Sequence, residues 1–203
     1  MLSAEQIVSL HDREVRAWHQ PPAEAAEELS DWLGQVRHQH QTNFVLWHIE
    51  DEARAVGATE SELAEIKRRV DRTNQRRNDL AEQLDRALLA WLKTRGLPNP
   101  AAPLHSETPG MMIDRLSILS LKIYHTREEA ERAGAPAGHA ERNRERLAIL
   151  EEQRADLAGC LNALWQETLA GTRRFKLYRQ LKMYNDPSLN PAVYRKPGAQ
   201  PGR

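Results

Sequence analysis

Apolar residues recur every three or four positions through most of this chain. One series, Leu63, Ile66, Val70, Thr73, Arg77, Leu80, Leu84, Ala87 and Trp91, has the spacing that lays a stripe along one face of a long helix. Prolines stand at 21, 22, 98, 100, 103, 109, 136, 187, 191, 197 and 201, leaving positions 23–97 without any. A stretch of that length, rich in Ala, Glu, Leu, Arg and Gln, favours helix at nearly every position. No window alternates apolar and polar residues for long and β-branched residues are sparse, so strands are not expected. The predicted class is all-α.

The spacing predicts helices over 3–19, 23–56 with a bend near Gly34, 60–95, 111–133 and 139–169, then a shorter basic helix over 173–184. Ser3 with Gln6 and Thr59 with Glu62 stand at capping-box spacing, which marks helix starts. Gly57, Gly96, Gly134 and Gly171 follow the expected helix ends, where a left-handed residue closes the last turn. One helical domain is expected over 1–184, followed by an extended, basic, Pro-rich tail over 185–203.

Shifted by 77 residues, positions 46–88 align with 123–165 without a gap and with eleven of 43 residues identical. The identities include His48/His125, Gly57/Gly134, Arg77/Arg154, Asp79/Asp156, Leu80/Leu157 and Leu84/Leu161. This offset predicts two helical hairpins of equal length, over about 40–95 and 112–171, forming a four-helix bundle with pseudo-twofold symmetry.

With 29 basic and 29 acidic residues the chain is neutral overall, which speaks against a polycation built to coat nucleic acid. The balance hides a split: residues 172–203 carry eight Lys or Arg against one Asp, a net of +7, and the rest carries −7. No run approaches the ~18 apolar residues of a membrane span. The first residues place acids where a signal peptide carries basic and then apolar ones. Cys160, the lone cysteine, fits a reducing compartment and reads as a small core residue of the last long helix. A cytoplasmic protein is expected.

Candidate chemistry centres on two arginines in core-seam positions, Arg77 and Arg154, where an unpaired charge would cost several kcal/mol. Hairpin arithmetic sets Arg154 within about one turn of Asp114, so this arginine is expected to be satisfied internally. Arg77 falls among Thr73, Asn74, Gln75, Asn78 and Asp79, opposite His38, Gln39, His40, Thr42 and Asn43. With no carboxylate assigned to it, Arg77 is expected to meet an external anion. His48 with Asp51 and Glu52, and His125 with Glu128 and Glu129, reverse the Glu-x-x-His order of di-iron bundles. They read as exposed helical charge, and no metal ligand is assigned. Glu82 and Asp85, with Glu50, Asp51 and Glu52, have the loose spacing of carboxylates that hold Mg²⁺ beside a phosphate chain.

Four stretches, LWHIEDEAR (46–54), NQRRND (74–79), ETPGMMIDRLSILSLKIYH (107–125) and FKLYRQLKMYNDPSLNP (175–191), resemble a bacterial family known as a domain of unknown function. The resemblance covers most of 40–191 and carries no activity with it. It implies a setting beside glycosyltransferases of cell-envelope polysaccharide synthesis, and it stresses Trp47, Glu50, Asp51, Arg54, Asn74, Gln75, Arg77, Asn78, Asp79, Asp114, Arg115 and the tail cations.

Two functions are consistent with this pattern. In the first, Asn74, Arg77, Asn78, Asp79, Glu50, Asp51 and Arg115, joined by Lys176, Arg179 and Lys182, bind a phosphorylated small molecule such as a nucleotide or sugar phosphate. Arginine forks and amides suit phosphate and hydroxyl groups, and Asp79 or Glu50 is placed to hold Mg²⁺. In the second, the basic C-terminal helix docks a non-catalytic adaptor onto an envelope-synthesis enzyme or a membrane face. Nucleic acid is disfavoured as a partner, and a homodimer is compatible with either reading.

Overall fold

The computed structural model describes residues 2–20, 31–54, 57–179, 181 and 188–189. Five helices make up the body: α1 (Ala4–His19), α2 (Asp31–Glu52), α3 (Glu60–Lys93), α4 (Pro109–Glu131) and α5 (His139–Leu169). No strand occurs among the described residues, only a single parallel bridge between Leu104 and Arg174. Nor is any helix among them long and apolar enough to cross a membrane.

The helix ends follow local chemistry. Ser3 Oγ accepts from the Gln6 N–H at the head of α1. Thr59 and Glu62 complete the capping box of α3, each side chain satisfying the other's backbone N–H, which together meet two donors the helix leaves orphaned. Gly57 and Gly134, equivalent at the 77-residue offset, both adopt left-handed φ, +93° and +72°. They close the α2–α3 and α4–α5 connections respectively. Residues 21–30, where the second helix was expected to begin, lie outside the described residues.

α4 is the central helix and packs on the other four, while α1 lies across α4, α2 and α5. The core joins Ile7 and Leu10 of α1, Leu84, Leu88 and Leu92 of α3, Met112, Ile113 and Leu116 of α4, and Leu157, Leu161, Leu164 and Trp165 of α5. In α3 the stripe runs through Leu84, Leu88 and Leu92 at its C-terminal end, so Ala87 and Trp91 sit at its margin and Leu63 is exposed. Cys160, expected in the core, is exposed: it lies about 100° around α5 from Leu161, off the buried stripe.

The head of α4 is held from α3. Asp85, 2% exposed, accepts from Thr108 Oγ1 (2.5 Å) and from the Gly110 N–H (2.7 Å). The two helices approach so closely there that a Cβ at residue 110 would run into the Ala81 carbonyl oxygen and the Asp85 carboxylate. Only glycine fits, which is why the sequence reads Thr-Pro-Gly at this helix start.

The expected basic helix over 173–184 is not formed where the chain is described. Residues 173–179 have no helical turn. They form an extended strap that clasps the α3–α4 loop: the Arg174 N–H donates to Pro103 O (3.0 Å) and the His105 N–H to Arg174 O (2.7 Å). Phe175, 1% exposed, enters the core. Burial of one aromatic ring, worth about 2–3 kcal/mol, and pairing with the loop outweigh helix propensity here. Residues 180 and 182–187 lie outside the described residues.

Candidate functional site

Asp114 of α4 gathers three neighbours. Its Oδ1 accepts from Gln39 Nε2 (2.5 Å) and Asn43 Nδ2 (3.0 Å) of α2 and from Arg77 Nε (2.8 Å) of α3. Its Oδ2 accepts from the second arm of the Arg77 fork at 2.5 Å. One turn on, Ser117 Oγ accepts from Asn43 Nδ2 (2.9 Å) and lies 2.7 Å from His40 Nδ1. His40 Nε2 lies 3.1 Å from the His11 carbonyl; a carbonyl only accepts, so Nε2 carries the proton and Nδ1 takes the Ser117 hydroxyl. This polar seam ties α1, α2, α3 and α4 together through groups that are buried or nearly so. Burial drives the pKa of His40 down to about 4 and that of His11 well below the ordinary histidine value.

Both seam arginines are thus satisfied internally, Arg154 as expected but by a different carboxylate, and Arg77 by the one expected for Arg154. Arg77 takes Asp114 as a bidentate pair, whereas Arg154 turns to Asp12 of α1 at 2.6 Å. Hairpin arithmetic sets the level of a residue along its helix but not the direction in which it points. Asp114 faces α2 and α3, and Arg154 of α5 faces α1.

Two clefts flank the Arg77–Asp114 pair. The larger, about 450 Å³, is lined by Trp47, Glu50, Asp51 and Arg54 of α2 and by Asn74 and Arg77 of α3. The smaller, about 130 Å³, takes Asn78, Asp85, Glu107, Arg115 and Tyr178. The expected site residues are thus split. Glu50, Asp51, Asn74 and Arg77 share the first cleft, and Asn78 and Arg115 the second, where Arg115 pairs with Glu107 at 2.7 Å. Asp79 is exposed and held by Gln75 Nε2 at 2.9 Å, in neither cleft. Lys176 is exposed and lies over the Tyr178 ring at 5.2 Å, and Arg179 is exposed beyond it. Lys182 lies outside the described residues. Asp85 is not one of a Mg²⁺-holding pair; it caps α4, and burial raises its pKa to about 6 against the pull of the Thr108 and Gly110 bonds.

In the first cleft Arg54 Nη1 donates to the Glu50 carbonyl oxygen at 2.6 Å. Its contacts to the Glu50 and Asp51 carboxylates are longer, 3.8 and 3.7 Å, and its side chain is 69% exposed. Arg77 spends two N–H groups on Asp114 and keeps others of its five. Trp47 forms an aromatic wall and stacks on His125 at 4.9 Å between ring centres and 10° between planes. Trp47 and Arg54 are legible in the sequence only through the resemblance, because a tryptophan at a bundle margin is ordinary.

A family model described as "Protein of unknown function (DUF4254)" matches residues 33–177. No curated protein and no solved structure matches the chain.

Proposed function

We propose, for a chain that belongs to the DUF4254 family of proteins of unknown function, that the cleft beside Trp47 binds a phosphorylated small molecule, a sugar phosphate or a nucleotide. The observation that carries this reading is the lining itself: one aromatic wall, two amides, two acids and two arginines around about 450 Å³, within the range of small-molecule sites. A ring or base stacks on Trp47. Asn74 and the free N–H groups of Arg77 meet hydroxyls, with Asp114 holding the guanidinium in place. Arg54, largely exposed and bonded to the Glu50 carbonyl through one N–H, turns its remaining N–H groups to the phosphate, and Glu50 and Asp51 supply carboxylates for a Mg²⁺ ion that accompanies it. Arg77 is thereby a positioning group and not the phosphate's counter-ion. A cytoplasmic setting within envelope polysaccharide synthesis belongs to the same proposal. The adaptor alternative rested on an amphipathic helix over 173–184, and the described part of that segment is a strap.

Thermal unfolding of the full chain, scanned against sugar phosphates and nucleoside diphosphates with and without Mg²⁺, tests this. A ligand at 100 times its dissociation constant adds about 2.7 kcal/mol to the native state. The expected result is a rise in Tm that Trp47→Ala and Arg54→Ala remove and that Asp79→Ala leaves unchanged. No rise with any compound, or a rise that survives both cleft substitutions, rejects the proposal.

A further inference from the structure

On the other side of Trp47, three helices bring three imidazoles together. His19 ends α1, His48 lies on α2 and His125 on α4. Their ring centres are 5.1–5.9 Å apart, and one nitrogen of each ring lies within 4.8 Å of the other two. Their outer nitrogens are engaged: His19 Nδ1 lies 2.7 Å from the Val15 carbonyl, His48 Nδ1 2.9 Å from the Phe44 carbonyl, and His125 Nδ1 2.9 Å from the Glu128 carboxylate. All three partners accept, so each Nδ1 carries a proton and each ring turns its Nε2 the other way, where it can serve as a ligand. Nε2 of His19 and of His125 are buried and have no hydrogen-bond partner among the described residues. Two buried ring nitrogens without a donor, with a third imidazole beside them, call for a positive charge.

We infer that His19, His48 and His125 are the three protein ligands of a divalent transition-metal site, with zinc(II) the ion of best fit and a fourth position left open. Three imidazole nitrogens match the ligand set of open zinc sites, and magnesium or calcium would ask for oxygen instead. A tetrahedral zinc site with Zn–N of about 2.0–2.1 Å needs nitrogens about 3.3 Å apart, which small ring rotations reach from the present spacing. The surroundings fit the same reading. An Nδ1–H donated to a carbonyl or carboxylate is the usual way a metal-bound imidazole is fixed in tautomer and direction. Tyr124 stacks on His19 at 4.4 Å, Phe44 lies 4.3 Å from His48 and Trp47 lies on His125, so apolar rings enclose the group. The site is distinct from the acidic pair of the neighbouring cleft and does not depend on the ligand proposed there.

Titration of the chelator-treated full chain with zinc chloride by calorimetry tests it without any substrate. One zinc per chain with micromolar or tighter affinity is expected, and cobalt(II) in its place should give the intense visible bands of a tetrahedral ion. His48→Ala and His125→Ala should each weaken binding at least 100-fold, and His139→Ala should not. Because loss of a partly buried ring can disturb folding, Glu128→Gln provides a second variant at an exposed position. It leaves all three ligands and should weaken binding about 10- to 100-fold. Absence of stoichiometric binding by the folded chain, or binding unaffected by His48→Ala, His125→Ala and Glu128→Gln, overturns the inference.

Discussion

Stability is expected to fall as pH drops from about 6.5 towards 4, ahead of the range in which surface carboxylates protonate. His40 and His11 are fully buried. Desolvation holds both in the neutral form, and His11 is pushed further down by the charges of His40 and Arg154. In the unfolded chain each takes a proton near the ordinary histidine value of 6.5, while folded His40 resists until about 4. The unfolded state thus binds more protons across this window, and stability lost on acidification amounts to about 3 kcal/mol for His40 alone. Asp85 works the other way. Its folded pKa of about 6 lies above the ordinary aspartate value of 3.8, so its contribution grows as pH falls through that interval, by a similar order for one group. Two histidines against one carboxylate leave a net loss, and between pH 6.5 and 6 the histidines act without opposition. Urea unfolding at pH 7.5, 6, 5 and 4.5 measures the slope. His40→Gln should flatten it and Asp85→Asn should steepen it. A slope of the opposite sign, or one indifferent to His40, would refute this account.

Replacing Asp114 by Ala is expected to cost about 3–5 kcal/mol, because it strands the Arg77 guanidinium and the Gln39 amide and leaves Asn43 with Ser117 alone. Gln39 and Asn43 are 0% and 3% exposed and their other neighbours offer no second carboxylate for them. Arg77, with a side chain 24% exposed, can reach water in part, so Arg77→Leu should cost less, about 2 kcal/mol. It leaves Asp114 with two amide donors. A double-mutant cycle in urea checks the pairing: a coupling above about 1 kcal/mol between the two positions is expected for groups in direct contact. Additive effects would show that the bidentate pair is not the source of the loss.

The helices were legible because their signals are local. The start and end of α5 at His139 and Leu169, the capping box at Thr59 and the glycine turns follow from neighbours within four residues. What escaped the sequence depends on direction around an axis. A residue turns by about 100° per step, so an error of one residue in the seam moves Cys160 to the surface and assigns Asp114 to Arg154 when it belongs to Arg77. The strap escaped for another reason. The segment RRFKLYRQLKMY fits a helical stripe in pattern, but Phe175 finds a core pocket and Arg174 an unpaired loop backbone, neither of which the segment itself encodes. His48 and His125 stood out through the repeat, whereas His19 belongs to a helix outside it and joins them only once α1 is laid on α4. The first cleft was legible in its polar residues Glu50, Asp51, Asn74 and Arg77. Its aromatic wall was not, since Trp47 acquires meaning only from what faces it.

The Asp114 seam also bears on how the chain reaches this structure. α2 with α3, and α4 with α5, are sequence neighbours that can zip into hairpins from their own turns. The bonds at Asp114 join residues 37 to 75 positions apart and cross from one hairpin to the other. Closing such distances comes at a loss of chain entropy that local contacts avoid, so this seam should assemble after the main barrier, when the hairpins dock. A chevron comparison of the native chain and Arg77→Leu is then expected to show nearly unchanged refolding and faster unfolding, with a φ-value near zero. The seam would act as a latch on the finished bundle, setting how long the native state lasts and not how quickly it forms.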